Sequence, residues 1–276
     1  MLMAFKWNML LKVKNINITL YKAAKIYYIS NFLGLVLPST VGADIIKTHF
    51  LRKESFALSD IIASILVERF LGFVGLFLYG LTSAFLFMGL MSDLNIDIDK
   101  IIVVFSLISI IGIILLFLSF NESFINKAVN FLRLIENKKY FSKFSSKVQR
   151  LILSYYSYKT KKLTLVIFLA LTLVEIFISI LINFYIAISL QLDVPLYYFI
   201  IYVPIMMLLI RLPISFSGIG INEGGSIYFL GLIGVTKSYA FTLGILDYFI
   251  SIIGLIPGAF FYAFNRTKLK ENSGSG

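Results

Sequence analysis

The chain reads as long apolar runs divided by short polar and basic stretches, without strict alternation of apolar and polar positions. Runs of about 20 apolar residues predict membrane-crossing helices, and the lack of ten-residue alternating segments excludes an outer-membrane barrel. The expected fold is all-α, a polytopic helical membrane protein. The first run, Ala23 to Pro38, is only about 16 residues long, with Lys22 and Lys25 before it and Lys47, Arg52 and Lys53 after it. Two positive flanks predict a segment that dips into the membrane and returns. Ile61 to Leu90 is long enough that it must tilt or protrude, and it ends at an acidic loop carrying Asp93, Asp97 and Asp99. Ile101 to Phe120 crosses back, and Leu163 to Leu190 crosses outward to Gln191 and Pro195. An interrupted run from Leu196 to Gly234 follows, and a final span from Ala240 to Phe264 ends at Arg266, Lys268 and Lys270.

Two stretches break this pattern with glycine and proline, and each carries an acid. The first runs from Asn31 through Pro38 and Gly42 to Asp44; the second runs from Pro213 through Ser215, Gly218, Gly220 and Asn222 to Glu223 and Gly225. Backbone that leaves the helix at membrane depth must be shielded by protein or line a wet cavity, because lipid offers its N–H and C=O groups no partners. The positive flanks put the mouth of the first stretch on the cytoplasmic side, and Gly234 to Ser238 on the outside puts that of the second on the external side. Two re-entrant loops, related as an inverted repeat and meeting near the midplane, are a transporter design. Leu37-Pro38 followed by Gly42, against Leu212-Pro213 followed by Gly218, carries a weak trace of that repeat.

Composition supports the same class. Hydrophobic residues make up 59% of the chain and charged residues 14%, with a mean hydropathy of +0.92, beyond the needs of a soluble core. The net charge of +11 does not point to nucleic acid, since the basic residues gather beside apolar spans. Between residues 121 and 162 lie ten basic residues, Lys127, Arg133, Lys138, Lys139, Lys143, Lys147, Arg150, Lys159, Lys161 and Lys162, against Glu122 and Glu136. That connector and the C-terminus are expected inside the cell. Val129, Leu132, Leu151 and Ile152 recur among these charges. The connector is therefore either an amphipathic helix lying on anionic lipid or a solvated basic linker.

The chain has no cysteine and a single histidine, His49, which excludes disulfides, thiol catalysis and Cys- or His-rich metal sites. No Walker-type phosphate loop occurs, and no metal or cofactor is expected. Met1 to Leu11 lacks the features of a cleavable signal peptide. The expected organisation is one transmembrane domain over residues 1–268, followed by a disordered tail, 269–276, whose Ser273-Gly274-Ser275-Gly276 reads as an engineered linker.

A carboxylate or guanidinium at mid-bilayer costs roughly 2.5 to 3.5 kcal/mol on the lenient insertion scale, so each needs a partner or a wet cavity. Candidates are Glu68, Arg69, Glu175, Arg211, Glu223 and Asp247, with Asp44 and Lys47 beside the first broken stretch. Glu68 and Arg69 are adjacent and point about 100° apart on a helix, so they serve different contacts. Glu68 or Glu223 is expected to pair with Arg69 or Arg211. Arg211 precedes the break at Pro213, and glycines 218, 220, 224 and 225 could turn backbone N–H groups toward a phosphate. The alternative is that these glycines let helices pack closely. Glu175 and Asp247 are candidates for proton relay, coupling-ion binding or a salt bridge to a neighbouring span.

These positions resemble the lysylphosphatidylglycerol synthase transmembrane family, also called flippase-like membrane proteins. The resemblance covers about Phe5 to Tyr262 and rests on Asn31, Pro38, Gly42, Asp44, Lys47, Glu68, Arg69, Pro213, Ser215, Gly218, Gly220 and Glu223. Gly42-Ala43-Asp44 stands where the family commonly has Gly-Gly-Asp, and Asp247 where a basic residue is expected. The family also usually begins with one or two further spans, against a short Phe5-Lys6-Trp7 segment here. The resemblance implies movement of a polar-headed lipid between leaflets, with no aminoacyl-transfer domain in this chain. On that reading Arg211, Arg69 and Lys47 neutralise a phosphate-bearing headgroup, and Asp44, Glu68 and Glu223 meet an amine, hydroxyl or coupling ion. The partners would be membrane lipids, an anionic phospholipid or a polyprenyl phosphate, and a lipid-modifying enzyme. The alternatives are an intramembrane enzyme acting on a lipid phosphate or glycosyl carrier lipid, with Asp44 or Glu223 as general base, and a lipid-binding accessory subunit of a synthase.

Overall fold

A computed structural model describes residues 1–37, 41–87, 98–136, 142–211 and 218–273. Among them the chain is all-helical, with α1 Leu2–Val13, α2 Leu20–Gly34, α3 Gly42–Arg52, α4 Leu58–Phe87, α5 Ile98–Ser119 and α6 Glu122–Glu136. These are followed by α7 Ser142–Tyr156, a 3-10 turn over Ser157–Thr160, α8 Lys162–Ser189, α9 Leu196–Arg211, α10 Ile221–Gly231 and α11 Lys237–Ser273. Three described stretches are long and apolar enough to cross a membrane: Leu58–Ser83, Lys162–Ser189 and Lys237–Phe264. These correspond to the expected spans Ile61–Leu90, whose residues 88–90 lie outside the described residues, Leu163–Leu190 and Ala240–Phe264; the expected span Ile101–Phe120 falls on helix α5, which is not one of the three. The helix also breaks at both expected places, between Gly34 and Gly42 and between Arg211 and Ile221. The turns of the two proposed re-entrant loops, residues 38–40 and 212–217, lie outside the described residues.

The chain divides into two compact units. One comprises Met1, Thr19–Phe50 and Ile176–Gly276; the other comprises Leu2–Ile18 and Leu51–Glu175. The second unit is organised around α1, an element not anticipated from the hydropathy pattern because it is only 12 residues long and carries two lysines. Trp7, Leu10 and Leu11 are nonetheless fully buried. Leu10 joins Ala63, Val67 and Leu71 of α4, Tyr158 of the 3-10 turn and Phe168 of α8 in one apolar cluster. The Tyr158 hydroxyl donates to the Leu10 carbonyl at 2.9 Å, and its burial pushes that hydroxyl well above the ordinary phenol range. A Cβ at Gly75 would collide with the Thr172 side chain, so the small residue lets α4 and α8 approach closely.

In the first unit α11 packs against both α2 and α10. The contacts use two glycines. A Cβ at Gly258 would strike the Tyr28 carbonyl of α2, and a Cβ at Gly244 would lie 3.0 Å from the Asn222 carbonyl oxygen, Glu223 Cα and Ser226 Oγ of α10. Fourteen residues separate these glycines, about 21 Å along the helix, so α2 and α10 meet α11 at different levels. The opposite side of α11 is apolar and exposed at Phe249, Ile253 and Phe260, as a lipid-facing side requires.

Candidate functional site

The first broken stretch is closed by a contact between its flanking helices. α2 is started by the Thr19 hydroxyl, which accepts the Lys22 N–H at 3.2 Å. It ends at Gly34, where a Cβ would come within 3.0 Å of the Ala43 Cβ, so α2 and α3 lie almost backbone to backbone. Asn31 donates to the Tyr27 carbonyl at 2.8 Å, within its own helix. Asp44 falls in the first turn of α3, where an acid suits the helix dipole. It faces Lys47 at 3.8 Å, and the buried Lys47 ammonium sits 4.2 Å from the centre of the Tyr27 ring. The residues expected to bind substrate here, Asn31, Gly42, Asp44 and Lys47, therefore share the α2–α3 junction. Pro38 lies outside the described residues.

At the second stretch, Gly218 and Gly220 have φ of 88° and 83°, a left-handed backbone that side-chain-bearing residues rarely adopt. α10 starts immediately after them. Glu223, expected to touch substrate, accepts the Gly220 N–H on its carboxylate at 2.6 Å and so caps its own helix. The Asn222 N–H goes to the Gly218 carbonyl and the Gly224 N–H to the Gly220 carbonyl, each at 3.0 Å. Gly225 admits the end of Met206 from α9, which is the close-packing use of a glycine. Arg211 is half-buried as the last residue of α9, while Pro213 and Ser215 lie outside the described residues.

The polar interior around this stretch joins Asp247 and Asn222, both named from the sequence, to Asn183, Ser226 and Tyr202, which the sequence did not single out. Asn222 donates at 3.0 Å to Oδ2 of Asp247 on α11 and at 3.1 Å to the Gly244 carbonyl. Asn183 of α8 donates at 3.1 Å to Oδ1 of the same carboxylate and at 3.1 Å to the Ser179 carbonyl. Each amide N–H₂ thus bridges a backbone carbonyl and one carboxylate oxygen, which fixes both amides as donors. Beside them the Ser226 hydroxyl donates to the Asn222 carbonyl at 2.7 Å and meets the Tyr202 hydroxyl at 2.6 Å. Asn183, Asn222, Ser226 and Tyr202 are all buried. The one signal that could have found the first of these is that Asn183 is the single amide side chain in the 28 residues of the mostly apolar α8.

Glu68, Arg69 and Glu175 belong to the other unit. Glu68 and Arg69 are half-buried on α4. Glu175 of α8 is paired with Lys6 of α1, both nearly inaccessible, and Lys6 also donates to the Thr172 hydroxyl at 3.0 Å. Of the outcomes considered for Glu175, the one observed is a salt bridge to another helix. Asp247 has a different environment, two neutral amides and no cation within 4 Å among the described residues.

The described residues contain no group of three or more His, Cys, Asp or Glu side chains able to hold a metal ion. No curated protein and no solved structure matches the chain. A family model described as "Lysylphosphatidylglycerol synthase TM region" matches residues 1–258, nearly the whole chain. The chain is therefore a member of that transmembrane family.

Proposed function

We propose that this protein moves a polar-headed, phosphate-bearing lipid between the leaflets of the cytoplasmic membrane, with its basic 121–162 segment and C-terminus inside. The observation that carries this reading is the polar interior where the second broken stretch meets α11. There Asn183, Asn222, Ser226, Tyr202 and Asp247 lie together among helices that are otherwise apolar. Buried polar groups at membrane depth are expensive and mark ion or substrate paths. In this reading a headgroup follows the polar residues of the first unit while its acyl chains stay in lipid. Lys47 and Arg211 supply positive charge for a phosphate, and Asp44 and Glu223 meet hydroxyl or amine groups. Asp247 is the candidate for the coupling ion or proton. No covalent chemistry is assigned to the chain.

The test is movement of labelled phospholipid and labelled polyprenyl phosphate across vesicles containing the purified protein. Movement of one class above protein-free vesicles, lost in Arg211→Ala and Asp247→Asn, is the expected result. No movement of either class would overturn the proposal. A change in lipid mass would favour an intramembrane enzyme instead, and full cellular function with Arg211→Ala and Glu223→Ala would favour an accessory subunit.

A further inference from the structure

The basic connector expected between residues 121 and 162 contains two helices, α6 and α7, joined across residues 137–141. Its position is set from three sides. α6 begins at Glu122, directly after α5 ends at Ser119, and Asn121 between them accepts the N–H groups of Ser123 and Phe124 at 2.9 and 3.3 Å as the cap of α6. α7 returns through the 3-10 turn to Lys162, where α8 begins. The last turn of α7 is held to the first half of α4 and to Phe120. The Ser154 hydroxyl donates to Asp60 at 2.6 Å, and the Tyr155 ring stacks on Phe120 at 5.2 Å and meets Phe70 edge-on at 6.3 Å. Lys14 secures the same corner by donating to the Ser157 hydroxyl at 2.6 Å. The two helices are also joined to each other by the Ser145 hydroxyl, which donates to the Leu132 carbonyl at 2.6 Å. Helices tied within a few residues to the ends of two apolar spans and packed on the start of a third sit at the boundary between membrane and water.

At that boundary α6 has two apolar faces. Ile125 and Val129 are buried inside the unit, whereas Phe124 and Phe131, seven residues apart and hence in one stripe, are 54% and 62% exposed. Lys127 lies on the same side and is exposed. On α7, Lys147, Arg150 and Leu153 form a second exposed stripe at three-residue spacing. Large apolar side chains left outside a packed pair of helices, with basic residues beside them, match an amphipathic surface lying in a leaflet of negative headgroups.

We infer that the α6–α7 pair is seated in the anionic leaflet, with Phe124 and Phe131 inserted below the headgroups and Lys127, Lys147 and Arg150 pairing with lipid phosphates. This role is independent of lipid movement, and its readout does not require transport.

The chain has a single tryptophan, Trp7, which is fully buried and shielded from aqueous quencher, so an added one is read as the difference from the parent protein in the same vesicles. Full-length Phe131→Trp, Phe124→Trp and Asn126→Trp proteins would be placed in vesicles of phosphatidylcholine, with and without phosphatidylglycerol. Quenching by brominated acyl chains and by aqueous acrylamide would be read in each. Tryptophans at 131 and 124 are expected to be quenched by the brominated chains and severalfold less by acrylamide than the one at 126, which lies on the far side of α6. Phosphatidylglycerol should deepen that protection, and Lys127→Glu with Lys147→Glu and Arg150→Glu should remove the deepening. Free acrylamide access at both 124 and 131 would overturn the inference and favour a solvated linker or a site for a soluble partner. Protection unaffected by phosphatidylglycerol would overturn its anionic component.

Discussion

Two acids in long apolar helices, Glu175 and Asp247, present similar problems to the fold and receive different solutions. Glu175 is matched by a full positive charge from Lys6, and the pair is buried with the Thr172 hydroxyl completing the ammonium's contacts. Asp247 receives two amide N–H groups and no cation among the described residues. A buried ion pair depends on both partners, because removing one leaves a charge that lipid and protein cannot solvate. A carboxylate held by neutral donors can lose or gain a charge without stranding an opposite charge. The first arrangement suits a structural joint between α1 and α8, and the second suits a group that changes its state during work.

The largest test of this contrast is to break the pair. Lys6→Met should lower the stability of the detergent-solubilised protein by about 3–5 kcal/mol, read by thermal or denaturant unfolding. Adding Glu175→Leu to it should recover most of that loss, since apolar residues of similar volume replace a buried pair at little cost. A single substitution that leaves stability unchanged would remove the structural assignment. Next is a steric break on the other side of the comparison. Gly258→Ala drives a methyl group into the Tyr28 carbonyl, and Gly244→Ala presses on α10 beside Asn222. Each should cost about 1–3 kcal/mol, with Gly244→Ala also reducing lipid movement.

A smaller effect on stability is expected from Asp247→Asn, about 1 kcal/mol, because one amide donor loses its acceptor while no cation is stranded. Labelled-lipid movement should nonetheless fall to the protein-free level. If Asp247→Asn destabilised the protein as much as Lys6→Met, the two acids would have the same structural role. Last, Gly254→Ala on the same helix has nothing within 4 Å to meet and should stay within about 0.5 kcal/mol of the parent, which separates contact at Gly244 and Gly258 from a general intolerance of α11.

The apolar runs were enough to place the long helices, because hydropathy over about 20 residues is a local property that the bilayer enforces without tertiary help. The interruptions were equally legible: proline and glycine act on their own backbone, so the ends of α2 and α9 and the starts of α3 and α10 follow from residues near them. α1 was not legible, since a 12-residue helix with two lysines has neither the length nor the hydropathy of a span. It became part of the core only when Leu10 met α4 and α8 and Trp7 and Leu11 were buried with it. The chemistry of the acids likewise came from the fold. The sequence shows Glu175 and Asp247 as charges needing an answer, but Lys6 lies 169 residues from its partner and Asn183 lies 64 from Asp247. Which charges are cancelled by another charge, and which are held by neutral donors, is a matter of distances that only packing determines. In a low-dielectric interior those distances decide whether an acid serves as a joint or as a site.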